Sequence, residues 1–197
     1  MSFREILESF QSIGVHLESD WLAGVEVIQE GPLTNDVVYQ ALALSDLRKS
    51  CIIPPQHALR RIASSGFSRF PEGSFLFQAT RVDDISIPDA LRPRMNSSTK
   101  RFCKLSLHIG DIAVIAIENE SLRVIPDVPD AGLKLIISGA PDVVDGIVFL
   151  DSDNVQIVGG DVHELVRAQT SETEKRLRSR DPLEPISNQV LHEIQNR

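Results

Sequence analysis

The sequence predicts an α+β fold, in which an N-terminal three-helix bundle packs on a small β-barrel that is followed by a C-terminal helix. Apolar residues recur at helical spacing in the first third of the chain, and from Ser74 onward they occur in short, alternating segments. With 197 residues and 42 % hydrophobic content, the chain can form one ordinary domain with an appendage. We assign residues 1–68 to the bundle, 69–178 to the barrel with its helix, and 179–197 to a tail.

The helical part contains three apolar stripes before the linker that precedes the barrel. The first covers residues 3–10 and the second residues 21–28. The third opens at Asn35, a residue type favoured at helix N-caps, and continues to residue 47. Residues 57–63 predict one more short helix.

Short segments rich in β-branched and aromatic residues follow, bounded by Gly, Pro, Asn and Asp. They predict strands at residues 74–82, 102–108, 112–117, 133–138, 147–150 and 155–158. Five or six strands of this length suit a small closed barrel, with SH3-like and OB architectures as the candidates. Asp161, with Glu164 three residues later, predicts a capping box that opens the final helix.

Residue spacings typical of catalytic or metal sites are missing from the chain. Its five histidines are scattered without HExxH or HxH spacing, so we expect no enzyme activity, no cofactor and no metal. Asp151, Asp153 and Asn154 begin like a calcium loop, but Gln156 and Val162 stand where the turn glycine and the bidentate glutamate belong. This cluster is interpreted as a polar turn between strands.

The cysteine and hydropathy patterns indicate a soluble protein of a reducing compartment. Cys51 and Cys103 are far apart and lack CxxC spacing, which argues against a disulfide framework or a zinc site. Charges or prolines interrupt each apolar run before it reaches the roughly 20 residues of a membrane span.

A formal net charge of −8 argues against a surface that binds nucleic acid everywhere. Basic residues nevertheless cluster around the connection between the first two barrel strands: Arg92, Arg94, Lys100, Arg101 and Lys104. They form either a solvated loop or a local DNA-facing patch. Only 5 % of residues are aromatic, and Trp21 and Tyr39 lie in the helical part, where core packing is expected. An independent single-strand-binding OB protein is therefore the alternative function.

Three stretches resemble the RMI1 family (RecQ-mediated genome instability protein 1) and the similar N-terminal region of TDRD3 (Tudor domain-containing protein 3). The first is Val38-Tyr39 followed by Asp46-Leu47-Arg48 and Pro54. The second is the FLFQ sequence at residues 75–78, which continues to Pro88. The third is GLK at 132–134, then GIVFL at 146–150 and NVQIVGGDV at 154–162. Their common order covers roughly residues 37–166.

The resemblance implies a helical segment packed against an OB-fold barrel, in a subunit without catalysis. It implies topoisomerase III as the partner and, through it, a RecQ-family helicase, with a role in double Holliday junction dissolution in the nucleus. Weak DNA contact is expected, and no membrane or small-molecule substrate. A TDRD3-like adaptor of topoisomerase IIIβ remains an alternative to an RMI1-type partner of topoisomerase IIIα.

The resemblance also implies which residues contact the topoisomerase. The connection from residue 85 to residue 99 is longer than a usual hairpin, and the equivalent loop of the family reaches toward the topoisomerase gate. Lys134 matches a family lysine on the face that meets the enzyme; otherwise it is a solvent-facing strand charge. The implied partner-binding residues are Asp84, Ile85, Ser86, Ile87, Pro88, Leu91 and Lys134.

Overall fold

The computed structural model describes residues 2–28, 31–54, 57–62, 67–86, 102–119, 122, 125, 131–168 and 171. Residues Met1–Val166 form one compact unit, and Arg167–Arg197 form a second. The helices and strands described below belong to the first unit, apart from the end of the last helix.

The described residues of the N-terminal segment form four α-helices and a short 3-10 helix. Their bounds are α1 Phe3–Ser12, α2 Ser19–Ile28, α3 Asn35–Leu44, α4 Leu47–Ser50 and, for the 3-10 helix, Ala58–Arg61.

Side chains of the residue types favoured at N-caps begin three of these helices, and Asp46 is the cap of α4. Ser2 and Glu5 form a reciprocal capping box at the start of α1. Helix α3 is capped by Thr34, whose hydroxyl accepts a hydrogen bond from the backbone of Val37. The predicted N-cap, Asn35, is instead the first helical residue. Both residue types can cap a helix, so the pattern located the helix start to within one position.

The predicted three-helix bundle is not confirmed. Buried residues of α1, α2 and α3, among them Phe10, Leu22 and Leu42, belong to the same hydrophobic cluster as Phe77 and Leu135 of the sheet. The helices thus form a layer that shares its core with the sheet, because their apolar stripes are too short to enclose a separate core.

In the described part of the chain, eight strands, numbered in chain order, form one mixed sheet in the order β1-β6-β7-β4-β3-β2-β5-β8. All six predicted strands are present: β2 Ser74–Asp84, β3 Cys103–Ile109, β4 Ile112–Glu118, β5 Lys134–Ser138, β7 Ile147–Leu150 and β8 Val155–Gly159. The unpredicted strands are β1 Phe67–Arg69 and β6 Asp142–Val144, which pair with each other and are too short for a visible alternation.

Chain connectivity requires this sheet to curl. Strand β7 pairs with β4, β8 pairs with β5, and only residues 151–154 join β7 to β8. A flat sheet would separate β7 from β8 by five strand spacings, roughly 24 Å. The connecting residues reach at most roughly 18 Å. The two sides must therefore approach each other, which produces an OB-like half-barrel with the parallel pair β4–β7.

The polar turn predicted between the last strands is present. Asn154 Oδ1 accepts from the backbone of Asp151 at 3.0 Å, and Asn119 Nδ2 donates to the Asp151 carboxylate at 3.1 Å. The final helix covers residues 163–168, and its first turn is closed by a bond from Val166 to the carbonyl of Val162. The predicted N-cap at Asp161 is therefore wrong, since the helix begins two residues after it.

Candidate partner-binding surface

The base of the long connection between β2 and β3 is fixed by Asp84. Its Oδ1 accepts hydrogen bonds from the backbone and hydroxyl of Ser86, at 2.9 and 2.7 Å, and from the backbone of Phe102 at 3.4 Å. The backbone of Ile85 donates to the carbonyl of Phe102 at 2.7 Å. These hydrogen bonds hold both ends of the connection together, and we call them the Asp84 clamp. Ile85, 48 % exposed, lies beside this clamp.

A buried carboxylate, Glu118, supports the same end of the sheet. Glu118, at the end of β4, accepts hydrogen bonds from the backbone of Cys103 and from that of Leu122. This carboxylate is 1 % exposed, so it joins the start of β3 to the segment after β4 from inside the molecule. The role of Glu118 is not visible in the sequence, because a lone glutamate in an apolar strand shows its partners only after folding.

Only part of the predicted site lies within the described residues. Asp84, Ile85 and Ser86 lie together at the end of β2, and Lys104 lies on the outer, half-buried face of β3, opposite Asp83. Seven predicted residues lie outside the described part of the chain: Ile87, Pro88, Leu91, Arg92, Arg94, Lys100 and Arg101.

Lys134 lies far from this clamp and is buried. Its side chain belongs to β5 opposite Gln78 of β2, and it is 1 % exposed, so it is not a solvent-facing strand charge. Among the described residues, its Nζ has no hydrogen-bond partner. Burial lowers the pKa of Lys134 to about 8, although the carboxylates of Asp46 and Asp161 and the Cys51 thiol favour the charged form.

A buried polar network beside Lys134 joins the helices to the sheet. Gln78, fully buried, accepts a bond from the backbone of Leu47 at 3.0 Å and donates to Asp46 at 3.0 Å. The Asp46 carboxylate also accepts hydrogen bonds from the guanidinium and from the backbone N–H of Arg48. Burial alone would raise the pKa of Asp46, but these bonds from Arg48 and Gln78 outweigh it and bring the pKa down to about 2.

A cleft of about 250 Å³ separates the helical layer from β2, β5 and β8. Three of its lining side chains, Ile13, Tyr39 and Val158, are apolar or aromatic and about half exposed. Tyr39 therefore does not pack fully into the core as expected, although its ring contacts Phe10. The lining residues are Ile13, Val15, Tyr39, Leu42, Ala43, Ser74, Leu76, Lys134, Ile136 and Val158.

The described residues contain no group of His, Cys, Asp and Glu that could hold a metal ion. Burial raises the pKa of the Cys51 thiol to about 12, so the sulfur stays protonated and weakly nucleophilic. Across the described ranges, no helix has the length and apolar character needed to cross a membrane.

The fold and these surfaces define an α+β protein with an OB-like half-barrel, an anchored long loop and an apolar cleft. The family model for the RMI1 N-terminal OB-fold domain matches residues 18–173. The chain belongs to the RMI1 family, and this membership suggests a role in genome maintenance. No curated protein matches the chain.

Proposed function

We propose that this protein is a non-catalytic OB-fold subunit that binds topoisomerase III in a nuclear complex with a RecQ-family helicase. There it modulates strand passage and promotes dissolution of double Holliday junctions. Family membership supports the proposal, and the anchored connection between β2 and β3 is the structural observation that carries it. The alternative, a TDRD3-like adaptor of topoisomerase IIIβ, fits the same observation.

The clamp explains how a subunit without catalysis could change an enzyme's rate. Because Asp84 and the bond from Ile85 to Phe102 hold both ends of the connection, contacts that the loop makes with an enzyme would be transmitted to the sheet. A loop that binds the open topoisomerase gate better than the closed gate shifts that equilibrium by its difference in affinity. The basic residues of the loop would face acidic protein or passing DNA.

Stand-alone binding of single-stranded DNA is less well supported. Such sites use exposed aromatic side chains on which bases stack. Of the aromatic residues whose exposure the structure describes, only Tyr39 is more than about one-third exposed, and it lines an apolar cleft rather than a basic groove. Any DNA contact would therefore depend on phosphates and weaken steeply with salt.

Replacement of residues 87–98 by a short Gly-Ser turn tests the loop's role. We expect the barrel to remain folded and topoisomerase III to remain bound, because Asp84 and Ser86 are kept, while stimulation of decatenation falls. The readouts are far-UV circular dichroism, co-purification and a decatenation assay. Full stimulation by the shortened protein would contradict the gate role, and loss of binding would make the loop part of the docking surface.

A further inference from the structure

Helix α2 is apolar on two opposite sides, but the described residues cover only one of them. Trp21, Leu22 and Val25 pack against the hydrophobic core, and Leu22 is fully buried. Val27 and Ile28 are 86 % and 83 % exposed, more than any other large hydrophobic side chain that the structure describes. Apolar residues all round a helix are typical of one that is buried on every side. The uncovered side of α2 therefore has the composition of an interface.

The uncovered side has a low point at its centre. Asp20, Gly24, Val27 and Ile28 follow one another at helical spacing, so they lie along one face, which we call the α2 outer face. A Cβ added at Gly24 would meet nothing within 4 Å. Glycine inside a helix is less stable than alanine, and no contact among the described residues requires it here. What Gly24 provides is space in which a second backbone can approach α2 closely.

The charge of this part of the chain selects the kind of partner. Asp20 and Glu26 are exposed on α2, which has no Lys or Arg. Between residues 2 and 44 the sequence has seven acidic residues and one basic residue, Arg4. Nucleic acid and anionic lipid would be repelled by such a surface. A second copy would bring only another acidic helix, whose Asp20 would be buried without a cation.

The shape of the surface favours a helix as the partner. The backbone N–H and C=O groups of a helix are paired within it, so α2 offers no edge to which an extended strand could add. Its ten residues span roughly 15 Å, or about three turns. A second helix can lay a ridge of side chains beside Gly24 over this length, as in ordinary helix packing.

We propose that the α2 outer face binds an amphipathic helix of a partner protein, in which Lys or Arg flanks the apolar residues. The partner helix crosses α2 at Gly24, its apolar side chains pack on Val27 and Ile28, and a basic side chain pairs with Asp20. This face includes neither the connection held by the Asp84 clamp nor any residue that lines the cleft beside Tyr39. The inference does not depend on topoisomerase binding.

Selection of displayed random peptides on the immobilised full chain tests the proposal. The peptides are roughly twenty residues long, so that they can form a helix. We expect enriched peptides to have apolar residues at helical spacing flanked by Lys or Arg, and to become helical on binding, as measured by circular dichroism. Enriched peptides that carry acidic flanks, or that bind in an extended form, would overturn the proposal.

The Gly24→Leu variant separates binding from stability. It should weaken binding of the selected peptides at least tenfold, because the leucine fills the crossing point. Its melting temperature should nevertheless rise by about 2 to 3 °C, since leucine favours a helix and meets no neighbour here. Gln11→Leu, which adds a leucine to an exposed position of α1, is the matched control and should bind like the unchanged protein. Unchanged binding by the Gly24 variant would contradict the proposal.

A second variant replaces both Val27 and Ile28 by Ser. These side chains are almost fully exposed, so the protein should stay folded while peptide binding falls at least tenfold. This measurement keeps the proposal open to refutation even if the Gly24 variant were to unfold. Binding that survives the double replacement would place the peptides elsewhere on the protein and overturn the assignment.

The carboxylate of Asp20 is tested by its amide. Asp20→Asn should weaken binding of the basic peptides about twofold to fivefold, the range of one exposed ion pair, and reduce the dependence of affinity on salt. Asp153→Asn removes an equally exposed charge from the turn between β7 and β8 and should change neither property. Equal effects of the two variants would mean that the protein's overall charge attracts the peptides, which contradicts a pairing at Asp20.

Two other occupants are distinguished with the same materials. Sedimentation that shows a dimer of the full chain, lost in the Gly24→Leu variant, would assign the α2 outer face to a second copy. Displacement of the selected peptides by a synthetic copy of residues 172–197 would assign it to the protein's own C-terminal residues. Either result would overturn the assignment to a partner protein.

Discussion

At the scale of single residues, Asp46 and Lys134 show two outcomes for a buried charge. The Asp46 carboxylate has three hydrogen-bonding groups around it, from the Arg48 side chain, the Arg48 backbone and Gln78. The Lys134 ammonium has none among the described residues. Burial penalises both charges, but the hydrogen bonds to Asp46 offset that cost, whereas no described residue offers such a bond to Lys134. Asp46 should therefore stabilise the fold, and Lys134 should destabilise it.

Replacement Asp46→Ala should lower the free energy of unfolding by about 2 to 3 kcal/mol at neutral pH, since it leaves the Gln78 amide and the backbone of Arg48 unpaired. The pKa of Asp46 is lowered from 3.8 to about 2, so the folded state favours the ionised form. Its contribution is complete above about pH 4 and disappears as the pH falls through 2. Urea denaturation of the unchanged protein and of the Asp46→Ala variant, from pH 7 to pH 2, measures how the difference between their free energies of unfolding shrinks.

The exposed-turn variant Asp153→Ala is the control for this measurement, because its side chain is exposed. We expect a change within about 0.5 kcal/mol. An Asp46 variant as stable as the control, or a difference that does not shrink in acid, would show that the network does not join the helices to the sheet.

Replacement Lys134→Met should raise the free energy of unfolding at pH 7 by about 1 to 3 kcal/mol, because it keeps the packing and removes the buried charge. The pKa of Lys134 falls from 10.5 to about 8 on folding. The native protein therefore gains stability as the pH rises from 8 to 10.5, and the advantage of the methionine variant vanishes over that range. Thermal unfolding at pH 7 and pH 10.5 measures both effects. A less stable methionine variant would mean that the ammonium is well paired.

At the scale of elements, the turn after β8 brings the chain against the end of α3. Gly160, with φ of +86°, lies so close to Ala43 that an added Cβ would stand 2.3 Å from its carbonyl oxygen. The neighbouring Gly159 also has a positive φ of +95°, but nothing lies within 4 Å of the position of its Cβ. A comparison of substitutions at the two glycines therefore separates the cost of backbone strain from the cost of a steric clash.

Replacement Gly159→Ala should lower stability by about 1 to 2 kcal/mol through backbone strain alone. Gly160→Ala should cost at least about 2 kcal/mol more, because α3 or the turn must also move. Chemical denaturation of the two variants measures the difference. Equal losses would show that the helical layer yields easily at this contact.

Local patterns predicted the long elements well and their packing less well. Alternation along residues 103–109 is visible in the sequence because one face is buried and the other is half-buried. The burial of Lys134 is not visible, because it depends on a helical layer that covers the outer face of β5. Nor could the pattern show the cleft beside Tyr39, since helix faces alone do not define how closely two layers approach.

At the scale of the whole molecule, the protein carries two unlike surfaces on one OB-like sheet. The clamp at the end of β2 presents a long polar and basic connection, whereas the cleft at its start is apolar with one buried cation. The sequence resemblance led to the first surface because its residues adjoin a recognised stretch. Of the second surface, whose lining residues come from distant segments of the chain, it indicated only Lys134.

The protein is proposed to be a topoisomerase III subunit, and the equilibrium affinity of the purified full chain for purified topoisomerase III tests this proposal most directly. Biolayer interferometry at physiological salt should detect a saturable complex with a dissociation constant below about 1 μM, as expected for a specific subunit interface. The IIIα and IIIβ forms are measured in parallel, and the tighter one identifies the partner. No binding to either form at roughly ten times that concentration, by a chain shown to be folded, would contradict the account.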